Sequence, residues 1–191
     1  MLSLYYYKSM VEYKEKKMLS QHYKYWSSIR DYRRCRNCKK LHGQIYEINE
    51  IPDPSPPLHD NCRCRIERLK AMFAGTATDK KLAGADWWIM KFHHLPSYYI
   101  SKEEAINNGW NSKLGNLYRV APGKMLAKGE YANRNGHLPS AEGRVWYEAD
   151  INYVRGWRND QRILYSNDGL VFVTYDHYQT FIEIIPREDN R

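Results

Sequence analysis

From Arg144 to Tyr153 the chain reads RVWYEADINY, with side chains that alternate along its length. Val145, Tyr147, Ala149, Ile151 and Tyr153 fall on one side, and Trp146, Glu148, Asp150 and Asn152 on the other, a period of two that predicts a strand. RILYS and LVFVTY predict two more strands joined by NDG, a tight-turn signal, and YQTFIEI predicts a fourth. Upstream the period lengthens. Leu82, Ala85, Trp88, Ile89 and Phe92 recur at helical spacing, with Thr78 or Asp79 as N-cap and Pro96 beyond the end. A second helix is predicted from Ser101, where Glu104 completes a capping box, and Asn108-Gly109 stops it. Residues 109–143, rich in Gly, Asn and Pro, predict loop with short elements, and residues 5–28 read as a moderately amphipathic helix rich in Tyr and Lys. Helices first and short-looped strands afterwards predict an α+β fold, with N-terminal helices packed on a C-terminal antiparallel sheet.

Charge divides the chain. Of its 191 residues, 1–70 carry 15 Lys/Arg against 8 Asp/Glu, a surplus of seven, and 71–191 carry 15 against 14, a surplus of one. The basic half implies contact with a polyanion or a solvated face. All four cysteines lie between Arg34 and Arg65, which points to one local metal or cross-linked site. Small residues in AMFAGTATD mark a linker, giving a module over 1–70, a linker over 71–78 and a second domain over 79–191. No apolar run approaches the ~18 residues that span a bilayer. The opening MLSLYYYKSMVEYKEKK lacks the apolar run and small-residue cleavage site of a secretory signal.

The strand region carries a candidate chemistry. Glu148 lies on the more polar face of its strand, expected to face solvent or a cleft, while Arg158 and Arg162 bracket the next turn and His177 begins the last strand. A carboxylate, an imidazole and fixed cations suit phosphodiester cleavage through a neighbouring hydroxyl, a route that needs no metal. The same residues also suit a structural ion-pair network, and His177 a strand-end histidine with ordinary partners.

Residues from about 78 to 184 resemble the barnase family of small bacterial ribonucleases. The resemblance rests on LPSYYISKEEAINNGW, GNLYRVAPGK, NRNGHLP, WYEADINY, GWRNDQRILYS and DHYQTF, in order and without gaps from LPSYYISK onward. It implies the microbial ribonuclease fold and an endoribonuclease that cleaves single-stranded RNA through a 2′,3′-cyclic phosphate without a cofactor. By position it implies Glu148 as general base, His177 as general acid, and Lys102, Arg158 and Arg162 as phosphate-binding cations. It further implies Asn133, Arg134 and Asn135 as the base-recognition loop, and Tyr178 as a lining residue. Asn135 stands where the family has a glutamate, so guanine preference is expected to be weaker or altered, and His137 replaces a lysine. An acidic, barstar-like inhibitor protein is implied as a partner, the chain being expected as a monomer without membrane contact.

Cys35-x2-Cys38 followed by His59-x2-Cys62-x-Cys64 gives ligand spacings suited to a closed structural zinc site. Cys35, Cys38, Cys62 and Cys64 are the expected ligands with His59 as the alternative, and disulfides are the competing reading. Residues 26–66 also resemble the C-terminal region of Mu-like phage minor head proteins, through the shared W-x4-D, LHGQ and PPLHDNCRC. That resemblance implies a nuclease toxin carried by a phage-derived module and exported by a non-classical route, or else a phage-associated or cytoplasmic chain. The alternative function is a phage structural protein whose second domain binds nucleic acid without cleaving it.

Overall fold

The computed structural model describes residues 18–187. One mixed sheet runs through them in the order β2-β1-β3-β9-β8-β7-β6-β5-β4. Its strands are β1 (Leu19–Ser27), β2 (Ile45–Glu47), β3 (Arg65–Phe73), β4 (Tyr99–Ser101), β5 (Met125–Glu130), β6 (Trp146–Asp150), β7 (Arg162–Ser166), β8 (Val171–Thr174) and β9 (Ile182–Ile185). Among the described residues the α-helices are short: α1 (Arg36–Leu41), α2 (Ala85–Phe92), α3 (Lys102–Asn107) and α4 (Leu117–Val120). None is long and apolar enough to cross a membrane.

This architecture corrects the expected fold. The chain is not a set of N-terminal helices packed on a C-terminal antiparallel sheet, because three strands come from the first 73 residues and two strand pairs, β3/β9 and β4/β5, are parallel. The helix expected over 5–28 lies outside the described residues as far as position 17, and from Leu19 to Ser27 it is strand. The misleading signal has a physical source. Ser20, Tyr23 and Trp26 are buried at a spacing of three: the pairing of β1 with β3 shifts register between Leu19 and Lys24, and in the regular strand that follows Tyr23 and Trp26 are buried on opposite faces. A bulge inserts a residue and breaks the alternation. The Ser20 hydroxyl fastens it by accepting from the His22 and Tyr23 amides at 3.0 and 2.7 Å.

The meander β6–β7–β8 follows the alternation of its sequence, and Asn167-Asp168-Gly169 turns β7 into β8 with Gly169 at φ +94°. Ala149, Ile151, Ile163, Val173 and Ile184 pack on one face against Ala85 and Ile89 of α2. α2 begins at Gly84, and Thr78, expected as a cap, donates instead to the buried Asp86 carboxylate at 3.0 Å. Trp146, Leu164 and Phe172 occupy the other face, where Tyr23, Ile45 and Leu69 from β1–β3 join them. β3 pairs Lys70–Phe73 with Ile182–Ile185, and Ala74 and Ala77 are buried, so most of the stretch expected as a linker is packed. Ser101 caps α3 as expected, accepting from the Glu104 amide at 3.0 Å.

Candidate active site and metal centre

The polar side of β6 is covered by protein. Glu148 is 4% exposed and Asp150 0%, both on the face that carries Trp146 and Leu164. Cross-strand register sets Asp150 opposite Arg162 on β7. Glu148 was expected to face solvent or a cleft; it is buried among side chains from β5, β7 and the β8–β9 loop, and buried carboxylates require partners. Its Oε1 accepts from Lys128 Nζ at 2.7 Å and from the Tyr178 hydroxyl at 2.6 Å, with Arg162 Nε at 3.4 Å. Burial and then this hydrogen bond to the carboxylate push the Tyr178 phenol well up from its ordinary value.

Asp150 organises the cations. Arg158 grips it through Nε and Nη2 at 2.6 and 2.5 Å, which leaves Nη1 outside the pair. Arg162 Nη1 donates to the Asn159 and Gln161 carbonyls. Its Nε stands 3.2 Å from Asp150 and 3.4 Å from Glu148, aligned with neither, a buried donor without a hydrogen bond among the described residues. Such a donor is rare in a folded protein and marks a strained or functional position. Lys102 is exposed on the first turn of α3, in a shallow groove of about 410 Å³ that it shares with Lys128 and Gly129.

His177 does not begin a strand. It lies in the loop between β8 and β9, exposed, with its amide bonded to the Asp160 carbonyl at 3.1 Å and its ring 4.8 Å from that of Tyr178. His177 and Tyr178 both adopt positive φ, 55° and 66°, which is unfavourable for side chains of this size. Asp176 holds the turn, accepting from the Thr174 hydroxyl, the Gln179 and Thr180 amides and the Thr180 hydroxyl. These bonds outweigh its burial and keep its carboxyl below the ordinary range.

The loop 133–138 is closed by Asn133, whose amide donates to the Leu138 carbonyl at 2.8 Å and accepts the Leu138 N–H at 3.1 Å. That side chain is engaged in shaping the loop, while Arg134 and Asn135 are exposed on it. Tyr131 stacks on Tyr178 with centroids 5.5 Å apart and planes 19° apart, forming an aromatic wall between this loop and Glu148. Lys128, Tyr131 and Asp150 are residues that sequence reasoning missed. Only Asp150 had a signal, its place two residues from Glu148 on the same side of a strand.

The cysteines are free thiols, and with His59 they converge on Cys38. His59 Nε2 lies 3.3 Å from both Cys35 Sγ and Cys38 Sγ, and Cys38 Sγ lies 3.8 Å from Cys62 Sγ. A tetrahedral zinc with Zn–S of about 2.3 Å has an S–S edge of about 3.8 Å. Cys64 groups with Cys38 and Cys62. The His59 Nδ1 faces the Asp60 carbonyl at 2.8 Å, which assigns its proton there and turns the Nε2 lone pair to the sulfurs. Hydrogen bonds from the backbone and side chain of Cys38 bring Cys35 down to about 7, while burial and the neighbouring thiols push Cys38 up. Thiols this close cannot all ionise unless a cation offsets their charge, so the cluster could hold a metal.

Comparison with known proteins follows the same division. The ribonuclease family model matches residues 89–185, about half the chain. The chain belongs to the ribonuclease family. It is 50% identical over 97 residues to a protein named "Ribonuclease" from Heyndrickxia coagulans, covering 51% of this chain and 89% of that protein. The same identity over 97 residues relates it to proteins of that name from Bacillus intermedius and Bacillus pumilus, of which it spans only 60%. Residues 4–67 match the family of Phage Mu protein F like proteins, so the ribonuclease region follows a segment of different descent.

Proposed function

We propose that the chain is an endoribonuclease of barnase type that cleaves single-stranded RNA by transesterification through a 2′,3′-cyclic phosphate. The observation that carries this reading is Glu148, a buried carboxylate with Lys128, Tyr178 and Arg162 gathered on one oxygen, set beside the loop that presents His177. Glu148 takes the proton of the 2′-hydroxyl, the freed oxygen attacks phosphorus, and His177 gives a proton to the departing 5′-oxygen. Arg158 Nη1, Arg162 and Lys102 meet the charge that gathers on the phosphoryl oxygens. The Tyr131–Tyr178 wall and the loop of Arg134 and Asn135 receive the base, with Asn135 reducing preference for guanine.

Residues 1–70 serve in this reading as a carrier module built around one structural zinc, held by Cys35, Cys38, Cys62 and either His59 or Cys64. The whole is a toxin or effector, exported by a non-classical route and restrained by an acidic, barstar-like protein. The match to Phage Mu protein F like proteins favours the second reading, a phage structural chain whose ribonuclease region is inert. Incubating the purified chain with a labelled RNA and a chelator separates the two. Products ending in a 2′,3′-cyclic phosphate, formed at an unchanged rate with chelator present, support the enzyme; intact RNA in both samples overturns it.

A further inference from the structure

The N-terminal module is docked on the two loops that frame the candidate site. The Ile45 amide on β2 donates to the His137 carbonyl of the recognition loop at 2.8 Å. Gly43, at φ +86°, comes so close to the β8–β9 loop that a Cβ there would lie 2.9 Å from the Gln179 carbonyl oxygen. Arg30 Nη1 stands 4.0 Å from Asp176, the neighbour of His177. Part of the module's basic surface therefore lies beside the site.

Those basic residues fall into two groups. Arg63 is committed to a bidentate pair with Asp31 at 2.6 and 2.8 Å, and Arg65 pairs with Glu67 at 3.2 Å. Arg30 and Arg34 are different. Arg30 faces Asp176 Oδ2, which accepts the Thr180 hydroxyl, in a loose ion pair whose 4.0 Å separation is beyond hydrogen-bond reach. Arg34 has only the neutral Ser28 hydroxyl, at 3.4 Å, and no carboxylate among the described residues. The Ser28 amide donates to His42 Nδ1 at 3.1 Å, so Arg34, through Ser28, sits next to the His42–Gly43 segment that touches the β8–β9 loop. Arg30 and Arg34 thus lie close to the turn that carries His177, and neither is held in a bidentate pair with a carboxylate.

We propose that Arg30 and Arg34 form a phosphate-binding subsite for RNA on the 3′ side of the cleaved bond, so that the N-terminal module is part of the substrate-binding face. The orientation rests on the role given above to His177: the leaving 5′-oxygen, and hence the downstream strand, lies on its side of the site. Guanidinium groups suit backbone phosphates and read no sequence, so the subsite adds affinity for longer RNA without changing base preference.

The test uses the full chain and its Arg30→Ala/Arg34→Ala variant. Binding is measured on a 2′-O-methyl RNA decamer, which no 2′-hydroxyl route can cleave, so the result stands apart from the catalytic reading. Loss of two single-strand phosphate contacts should lower the slope of log affinity against log salt by about 1.4, and affinity by roughly 25-fold at 0.1 M salt. The Arg30→Lys/Arg34→Lys variant should restore most of both. Because Arg34 adjoins Cys35, the exposed Arg30→Glu change alone is the second probe and should weaken binding in the same direction. With substrates holding one unmodified ribose, the alanine variant should lose kcat/KM on a 3′-extended oligonucleotide and keep it on a dinucleotide or a 5′-extended one. Unchanged decamer binding and salt slope, or equal losses on all three substrates, would overturn the subsite. Failure of every substrate to be cleaved while decamer binding responds would overturn the catalytic reading instead.

Discussion

Glu148 and His177 reach the site by different means. Glu148 is placed by strand register and clamped by the half-buried donors Lys128 and Tyr178, whereas His177 is exposed on a turn whose backbone is unfavourable and held by Asp176. Replacing either by alanine should lower turnover of a labelled dinucleotide by about 10²–10⁴-fold with a circular dichroism spectrum close to the parent's. Near-normal turnover in either variant would remove that residue's role. Asp31 gives a separate, pH-dependent expectation. The Arg63 guanidinium, with the Arg33 amide, holds its carboxyl down from 3.8 to about 2. A group depressed in the folded state contributes stability above its unfolded value and loses it as pH falls through the folded one. The acid limb of the unfolding curve between about pH 4 and pH 2 should therefore flatten in Asp31→Asn, measured by urea titration at each pH. A limb of unchanged slope would mean that the pair contributes nothing.

Where the chain's own periodicity met no interruption, its elements were readable. RILYS became β7 to the residue, and Ser101 with Glu104 marked the start of α3. Ser101→Ala should cost about 1 kcal/mol of stability. Because Lys102, which meets the developing charge in the proposed mechanism, is the first residue of the helix so capped, the same change should also lower kcat for RNA more than it raises KM. A thermal melt and steady-state kinetics on one preparation check both. β1 was unreadable because a register shift and burial on both of its faces together mimic helical spacing, and β5 because MLAKGE has no alternation that separates it from loop. For the site, alternation correctly put Glu148 and Asp150 on one face, yet could not tell that strands from the first 73 residues would cover that face. Lys128 and Tyr131 escaped for the same reason, since their partners Glu148 and Tyr178 are brought to them only by the sheet.

Taken whole, the two regions of different descent share one sheet and one apolar cluster, in which Tyr23, Ile45 and Leu69 meet Leu164, Phe172 and Phe181. Thermal unfolding followed at the tryptophans and by far-ultraviolet circular dichroism should therefore give a single transition. Elemental analysis should find about one zinc per chain, and Cys35→Ser should lower that transition's midpoint while cleavage of a dinucleotide at 25 °C persists. Two separate transitions, or a metal-free chain with an unshifted midpoint, would contradict a shared core braced by zinc.

The parallel pairing of Lys70–Phe73 with Ile182–Ile185 has a bearing on synthesis. The partners are more than a hundred residues apart, and the loop bearing His177 is anchored on its far side by β9, the last strand in chain order among the described residues. Pairings of such separation form late. A growing chain halted before Phe181 should hold every other proposed catalytic group and still cleave nothing, while one extended past Ile185 by a linker long enough to clear the exit tunnel should be active. Stalled nascent chains of the two lengths, assayed on the ribosome, test this directly. A ribonuclease arranged in this way would spare the messenger RNA from which it is being read.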